Sequence, residues 1–192
     1  MVTVRRTPSR PPRTLLRTSI FRIGAEEFLL PGPRRRSHTF YLLHAPDWIN
    51  VLPVDDAGRV WAIRQFRHGT LRRELEIPGG GMDGTRETPL AAAKRELREE
   101  TGGEARRWIP LGRVHPNPAF HRNWLHMFLA VGVRRVADQS LDPAEFIDVD
   151  RIPLRRIPGL IARGRIAHAL VINAFHAAFT RPAARRALRR FV

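Results

Sequence analysis

From residue 14 to residue 70, apolar side chains come in short runs broken by turn residues: "SIFRI", "TFYLLHA", "INVLPV" and "VWAIRQF". Such runs, rich in β-branched and aromatic residues and bounded by Gly, Pro and Asp, predict strands. "DDAGR" separates the last two and predicts a hairpin, and the proline-glycine turn in "FLLPGPRRRSHTFYLL" predicts another. Further on, "WIPLGRVHP" and "LHMFLAVGVRRV" are strand-like, whereas "IPLRRIPGLIARGRI" and "AHALVINAFHAAF" have helical spacing. In the middle lies a helix with both ends signalled: Thr88 as N-cap, Pro89 at the first helical position and Gly102 just past the last. Strands on either side of an internal helix, closed by further helices, predict an α+β sandwich with its sheet covered on both sides.

That internal helix is chemically unusual. At 3.6 residues per turn, Leu90, Ala93 and Leu97 form one stripe able to pack on a sheet, and Glu96, Glu99 and Glu100 fall on the neighbouring stripe. Like charges at these offsets repel, and Arg95 neutralises only one partner. A divalent cation answers the remaining repulsion, because hard cations select clustered carboxylates; a plainly solvated acidic face is the alternative. Gly79, Gly80 and Gly81 precede the helix and let backbone approach a phosphate or a metal, with a carbonyl to offer. Neither a Walker loop nor a dinucleotide fingerprint is present.

Composition narrows the classes. The chain has 192 residues, 43% of them hydrophobic, enough for one domain with decorated ends. It has no cysteine, which excludes disulfides, thiolate zinc sites and a cysteine nucleophile and fits a reducing cytoplasm. No apolar run approaches the roughly 18 to 20 residues of a spanning helix, so no membrane is expected. The net charge of +16 is concentrated at the ends: residues 1–36 carry +7 and residues 181–192 carry +5. Solvated arginine-rich tails explain this better than a nucleic-acid or polyphosphate patch, so nucleic acid is not expected as a partner. Residues 1–13 read as a disordered basic tail, 14–50 as an N-terminal β extension, 51–180 as the main domain with the acidic helix and 181–192 as a basic C-terminal tail, both tails dispensable for whatever chemistry that helix serves.

Gly81, Glu87 and Arg95-Glu96-Leu97-Arg98-Glu99-Glu100-Thr101-Gly102 resemble the Nudix box, G-x5-E-x7-R-E-U-x-E-E-x-G-U, where U is a bulky aliphatic residue. Only Gly103 departs, standing where the family prefers an aliphatic side chain. The resemblance implies a Nudix-type α/β/α sandwich with a mixed sheet, preceded by the antiparallel β extension. It also implies Mg2+- or Mn2+-dependent hydrolysis of a nucleoside diphosphate derivative. Carried over by position, Glu96, Glu99, Glu100 and the Gly80 carbonyl hold the cations, Arg95 orients the glutamates and Glu87 supports it.

"AIRQFRHG", "ELEIPGGGMD" and "HPNPAF" are similar to the ADP-ribose pyrophosphatase branch, in which Pro118, sixteen residues past the box, is a recurring mark. By that likeness Arg67 grips a diphosphate or a terminal sugar, or else only pairs with an acid. Glu76 contacts substrate, or only occupies a strand face. Glu145 is the expected general base, with Asp142 and Asp148 as competitors. His168 reaches the site or is structural. The branch implies a homodimer acting on ADP-ribose or a related nucleotide sugar. A nucleoside triphosphate, a dinucleoside polyphosphate or a non-catalytic nucleotide- or nucleic-acid-binding module stays open.

Overall fold

The computed structural model describes residues 5–6, 11–32, 36–84, 86–143 and 145–192. The chain forms two compact units, one of Met1–Asp47 with His115–Trp124, the other of Trp48–Val114 with Leu125–Val192.

The first unit is an antiparallel sheet of β1 (Arg5–Arg6), β2 (Arg13–Arg17), β3 (Arg22–Leu30) and β4 (Arg36–His44). β4 pairs along all of β3, from Arg22↔His44 to Leu30↔Arg36, which is the hairpin expected from the proline-glycine turn. Its turn residues 33–35 lie outside the described residues. The other edge of β3 is shared by β2, against Arg22–Ala25, and β1, against Phe28–Leu29. Part of the stretch expected to be a disordered tail therefore pairs as strand, because an open sheet edge offers unpaired N–H and C=O groups to any extended neighbour. "SIFRI", expected as strand throughout, begins instead with a tight turn in which the Thr18 hydroxyl accepts from the Phe21 N–H at 3.0 Å and donates to the Phe21 carbonyl at 2.9 Å. Glu26, 2% exposed, accepts from Arg122 at 2.8 Å and so ties residues 115–124 to β3. Pro118 sits in that segment, within the turn closed by the His121 N–H on the Asn117 carbonyl.

The second unit holds a mixed sheet of β5 (Trp48–Val54), β6 (Arg59–Arg67), β7 (Arg72–Glu76), β8 (Gly103–Val114), β9 (Leu125–Arg135) and β10 (Ile147–Pro153). The order is β10-β6-β5-β9-β8, with β7 also on β6; β5 and β9 run parallel and the other pairs antiparallel. Helices α1 (Pro89–Thr101), α2 (Ile157–Ala162), α3 (Ala169–Thr180) and α4 (Pro182–Leu188) complete it. "DDAGR" forms the expected turn between β5 and β6: the Asp55 carboxylate accepts from the Ala57 and Arg59 N–H groups at 3.0 and 2.9 Å.

Strand periodicity divides the core in two. Along β5, Ile49 and Val51 join Ala92, Ala93 and Leu97 of α1 with Trp61, Phe128 and Ala130. The alternate residues Leu52 and Val54 join Val60, Ala62, Leu125 and Leu129 against Ile157, Val171, Ala174, Phe175 and Leu188. Successive side chains point to opposite faces, so a strand buried on both faces reads as an unbroken apolar run. The stripe on α1 is shifted from the expected one: Ala92 is buried and Leu90 is 37% exposed.

Two other expectations differ. "IPLRRIPGLIARGRI" opens as the end of β10 and a 3-10 turn, Leu154–Arg156, before α2 begins. Residues 181–192, expected as a basic tail, carry α4, in which Ala184 and Leu188 are almost fully buried. Net charge carries no sign of this, because two apolar residues, Ala184 and Leu188, suffice to dock a short helix whose arginines stay in water. Among the described residues, no helix is long and apolar enough to cross a membrane.

Candidate active site

The carboxylates of α1 owe their position to its two ends. The Thr88 hydroxyl accepts from the Ala91 N–H at 3.2 Å, Pro89 occupies the first turn, and Gly102 ends the helix in the left-handed region at φ 66°, donating to the Arg98 carbonyl at 2.8 Å. A Cβ on Gly102 would also lie 2.1 Å from the Ala137 carbonyl oxygen. The departure at Gly103 has a local reason: a Cβ there would meet Thr101 Oγ1 at 2.8 Å and Trp61 at 3.3 Å, so the Trp61 ring fills the space an aliphatic side chain would take.

Before the helix, the 78–81 loop lies along β5. The Ile49 N–H donates to the Gly80 carbonyl at 2.9 Å and the Val51 N–H to the Pro78 carbonyl at 2.8 Å. A Cβ on Gly79 would come 2.2 Å from the Ile49 carbonyl oxygen, and one on Gly80 2.5 Å from Glu96 Oε1. Absent side chains are what let this loop sit against both the strand and the helix. The Gly80 carbonyl keeps a second lone pair beyond its bond to Ile49.

Arg95 is the hub of the acidic face. Its guanidinium donates to Glu87 at 3.0 and 3.2 Å, to Glu96 and Glu99 at 2.9 Å each, and to the Gly81 carbonyl at 3.0 Å. The Arg95 bonds hold Glu87 below the usual carboxylate range, and Glu87 also accepts from the Asp83 N–H at 2.7 Å. Burial acts the other way on the next acids. Glu96, 8% exposed, is pushed up to about 7, first by desolvation, against the pull of Arg95 and with the help of Glu99 and Glu145. Glu100, 2% exposed, is pushed well above the ordinary range by desolvation, then by Glu96 and Glu145, although the Gly79 N–H donates to it at 2.9 Å.

The expected loop acids differ in exposure and partners. Glu145 is half-buried and its charge acts on Glu96, Glu100 and Arg67. Asp148 is exposed and ion-paired with Arg73, while Asp142 is exposed, its N–H 3.4 Å from the Glu145 carboxylate. Gln139, which no sequence signal marked, donates to the carbonyls of Glu100 at 2.6 Å and Ile147 at 3.2 Å, and the Ser140 N–H donates to the Glu99 carbonyl at 2.9 Å. These bonds tie the loop carrying Glu145 to the last turn of α1.

Arg67 and Glu76, expected as separate substrate contacts, are joined to each other. Arg67 donates to both Glu76 oxygens at 2.8 Å across the β6–β7 pair, and Glu76 is 3% exposed. The Glu76 bonds raise the Arg67 pKa further, with Glu100 and Glu145 adding to the effect. His168, at the start of α3, brings Nδ1 to 3.7 Å from Glu76. Arg67 and Glu76 meet across neighbouring strands, and His168 lies near Glu76 without a hydrogen bond from Nδ1, so no spacing rule grouped the three. Pro118 belongs to the other unit.

Among the described residues, no three acidic or imidazole side chains converge as a ready-made cage. Arg95 lies between Glu96 and Glu99 instead. The donor set still suits a hard divalent cation: all oxygen, two members buried, and both driven toward the neutral form by burial and mutual repulsion that a cation would relieve.

The chain is 31% identical over 125 residues to an ADP-ribose pyrophosphatase of Mycobacterium tuberculosis (strain ATCC 25618 / H37Rv), covering 65% of this chain and 60% of that one. It is 31% identical over 123 residues to an ADP-ribose pyrophosphatase of Bacillus subtilis (strain 168), covering 64% of this chain and 66% of that one. The matched stretch therefore spans a little under two thirds of either relative. A crystal structure of an ADP compounds hydrolase superposes with a TM-score of 0.73 at 20% identity, over 88% of this chain and 92% of that one, a likeness of fold. The NUDIX domain profile matches residues 44–175, which include the whole acidic helix and its glycine loop, and the chain belongs to the NUDIX domain family.

Proposed function

We propose that this protein hydrolyses the pyrophosphate bond of a nucleoside diphosphate derivative, ADP-ribose or a related nucleotide sugar, with Mg2+ or Mn2+. The observation that carries the reading is the buried pair Glu96 and Glu100 beside a side-chain-free loop, two acids whose burial makes chemical sense when a cation neutralises them. Glu96, Glu99, Glu100 and the Gly80 carbonyl would hold the metal. When bound, it would neutralise diphosphate charge and lower the pKa of water.

The chain's own groups do the rest. Arg95 holds Glu96 and Glu99 in place through paired bonds, and Glu87 holds Arg95. Arg67, rigidified by Glu76, presents a planar fork suited to phosphate oxygens. Glu145, on a loop fastened by Gln139 and Ser140, is the base that accepts a proton from the attacking water; its closeness in charge to Glu96 and Glu100 supports it over Asp142 and Asp148. Pro118 is assigned a substrate-side role by motif alone. The names of the two relatives favour ADP-ribose over triphosphates and dinucleoside polyphosphates.

We place the protein in the cytoplasm as a homodimer that uses its N-terminal sheet. That unit exposes large apolar side chains, Ile20 at 68%, Tyr41 at 62% and Leu16 at 49%.

The test is turnover of ADP-ribose with Mg2+, yielding AMP and ribose 5-phosphate. Glu100→Gln is expected to keep the fold and lose at least ~100-fold in rate, the scale of removing a major electrostatic contributor. Turnover confined to triphosphates would overturn the substrate, and normal turnover by Glu100→Gln would overturn the metal assignment.

A further inference from the structure

The face of the mixed sheet turned away from α1 carries a concavity of about 310 Å³ lined by Arg64, Arg156, Arg163 and Arg165, with Asp150 as the acid among its lining residues. Strand register separates it from the carboxylate face. Arg64 is paired with Leu75, a lining residue, whereas Glu76 is paired with Ile63, and successive side chains point to opposite faces. Asp150 is already engaged, accepting from Arg64 at 2.6 Å. Arg156, Arg163 and Arg165 have no carboxylate within 4.0 Å among the described residues. Gly159 makes room for one of them: a Cβ there would stand 3.2 Å from Arg163 Nη1.

Arg156, Arg163 and Arg165 are exposed around the hollow, where their like charges repel unless an anion lies between them. Four cations against one acid around a concavity form a focused positive potential. Arginine forks match phosphate oxygens two at a time. Leu75, Ile152 and Leu160 supply an apolar wall suited to a short carbon skeleton. Ligand cavities commonly run from about 300 to 1,000 Å³, so this one suits a small molecule rather than a whole nucleotide sugar.

We propose that this hollow is a second binding site, distinct from the carboxylate face, that takes a small phosphorylated anion such as diphosphate or a phosphosugar. It stands independently of the hydrolase reading, since binding there needs neither metal nor turnover.

The test is calorimetric titration of the full chain with inorganic pyrophosphate in EDTA, which removes the divalent cation that the carboxylate face would need to hold a polyanion. Saturable binding of one equivalent is expected, weakened at least ten-fold in Arg163→Gln/Arg165→Gln and unchanged in Glu100→Gln. Arg185→Gln/Arg186→Gln removes the same charge from exposed positions on α4 and is expected to weaken binding less than two-fold. Equal weakening by both arginine pairs would mean a diffuse attraction and overturn the site. So would unchanged affinity in Arg163→Gln/Arg165→Gln, or loss of binding in Glu100→Gln. Ribose 5-phosphate serves as the second probe: competition with pyrophosphate supports a phosphosugar, and failure of both probes to bind rejects the proposal. Circular dichroism of each variant distinguishes lost binding from lost fold.

Discussion

Replacing Glu96 by Gln is expected to stabilise the metal-free protein at alkaline pH. Glu96 is 8% exposed, and burial moves its carboxyl from the ordinary 4.5 to about 7. The folded state therefore keeps the proton to higher pH than the unfolded chain does. The contribution of this group to stability is fullest below about 4.5 and is lost as pH rises through about 7, a linkage of about 3 kcal/mol. Gln mimics the neutral acid at every pH and escapes that loss. It also relieves Glu100, which the Glu96 charge pushes upward. In EDTA the Tm of Glu96→Gln minus that of the parent should therefore grow between pH 5 and pH 8, by about 6 to 12 °C for a chain of this size. Saturating Mg2+ should reverse the order at pH 8, because a ligand that binds only the folded state stabilises it by mass action and the variant lacks one carboxylate. Thermal unfolding followed by circular dichroism reads both. A Tm difference that stays constant with pH, or a variant less stable than the parent at pH 8 in EDTA, would refute the claim that burial holds this acid out of its ordinary range.

Other outcomes follow from the same geometry. Gly79→Ala places a Cβ 2.2 Å from the Ile49 backbone oxygen, so it should lower stability by more than about 2 kcal/mol in denaturant titration. Arg67→Lys replaces a two-bond fork by a point charge and should raise KM for ADP-ribose more than it lowers kcat, as steady-state kinetics would resolve. Truncation before Arg181 removes α4 and uncovers the core around Leu188, so Tm should fall; Leu188→Ala alone should cost about 2 to 5 kcal/mol. Chemistry is a separate matter: turnover of the truncated chain, read below its Tm, is expected to stay within a few-fold.

What the chain declares by itself is local. Thr88, Pro89 and Gly102 mark the ends of α1, and the offsets among Glu96, Glu99 and Glu100 place them on one side of it, because helix geometry relates residues three and four apart. The β5–β6 and β3–β4 hairpins were legible for the same reason, their turn residues being adjacent to the strands they join. Only the tertiary structure decided that Arg67 bonds Glu76, since that contact depends on the register of β6 against β7. Likewise it made Gln139 the fastener of the Glu145 loop, drew His168 toward Glu76, and folded an arginine-rich end into α4. It also sorted the arginines into those that pair and those that gather around a hollow on the far side of the sheet. Side chains that meet across strands, loops and layers leave no periodic trace in sequence: their encounter depends on how whole elements pack, whereas a helix and its caps depend only on residues a few positions apart.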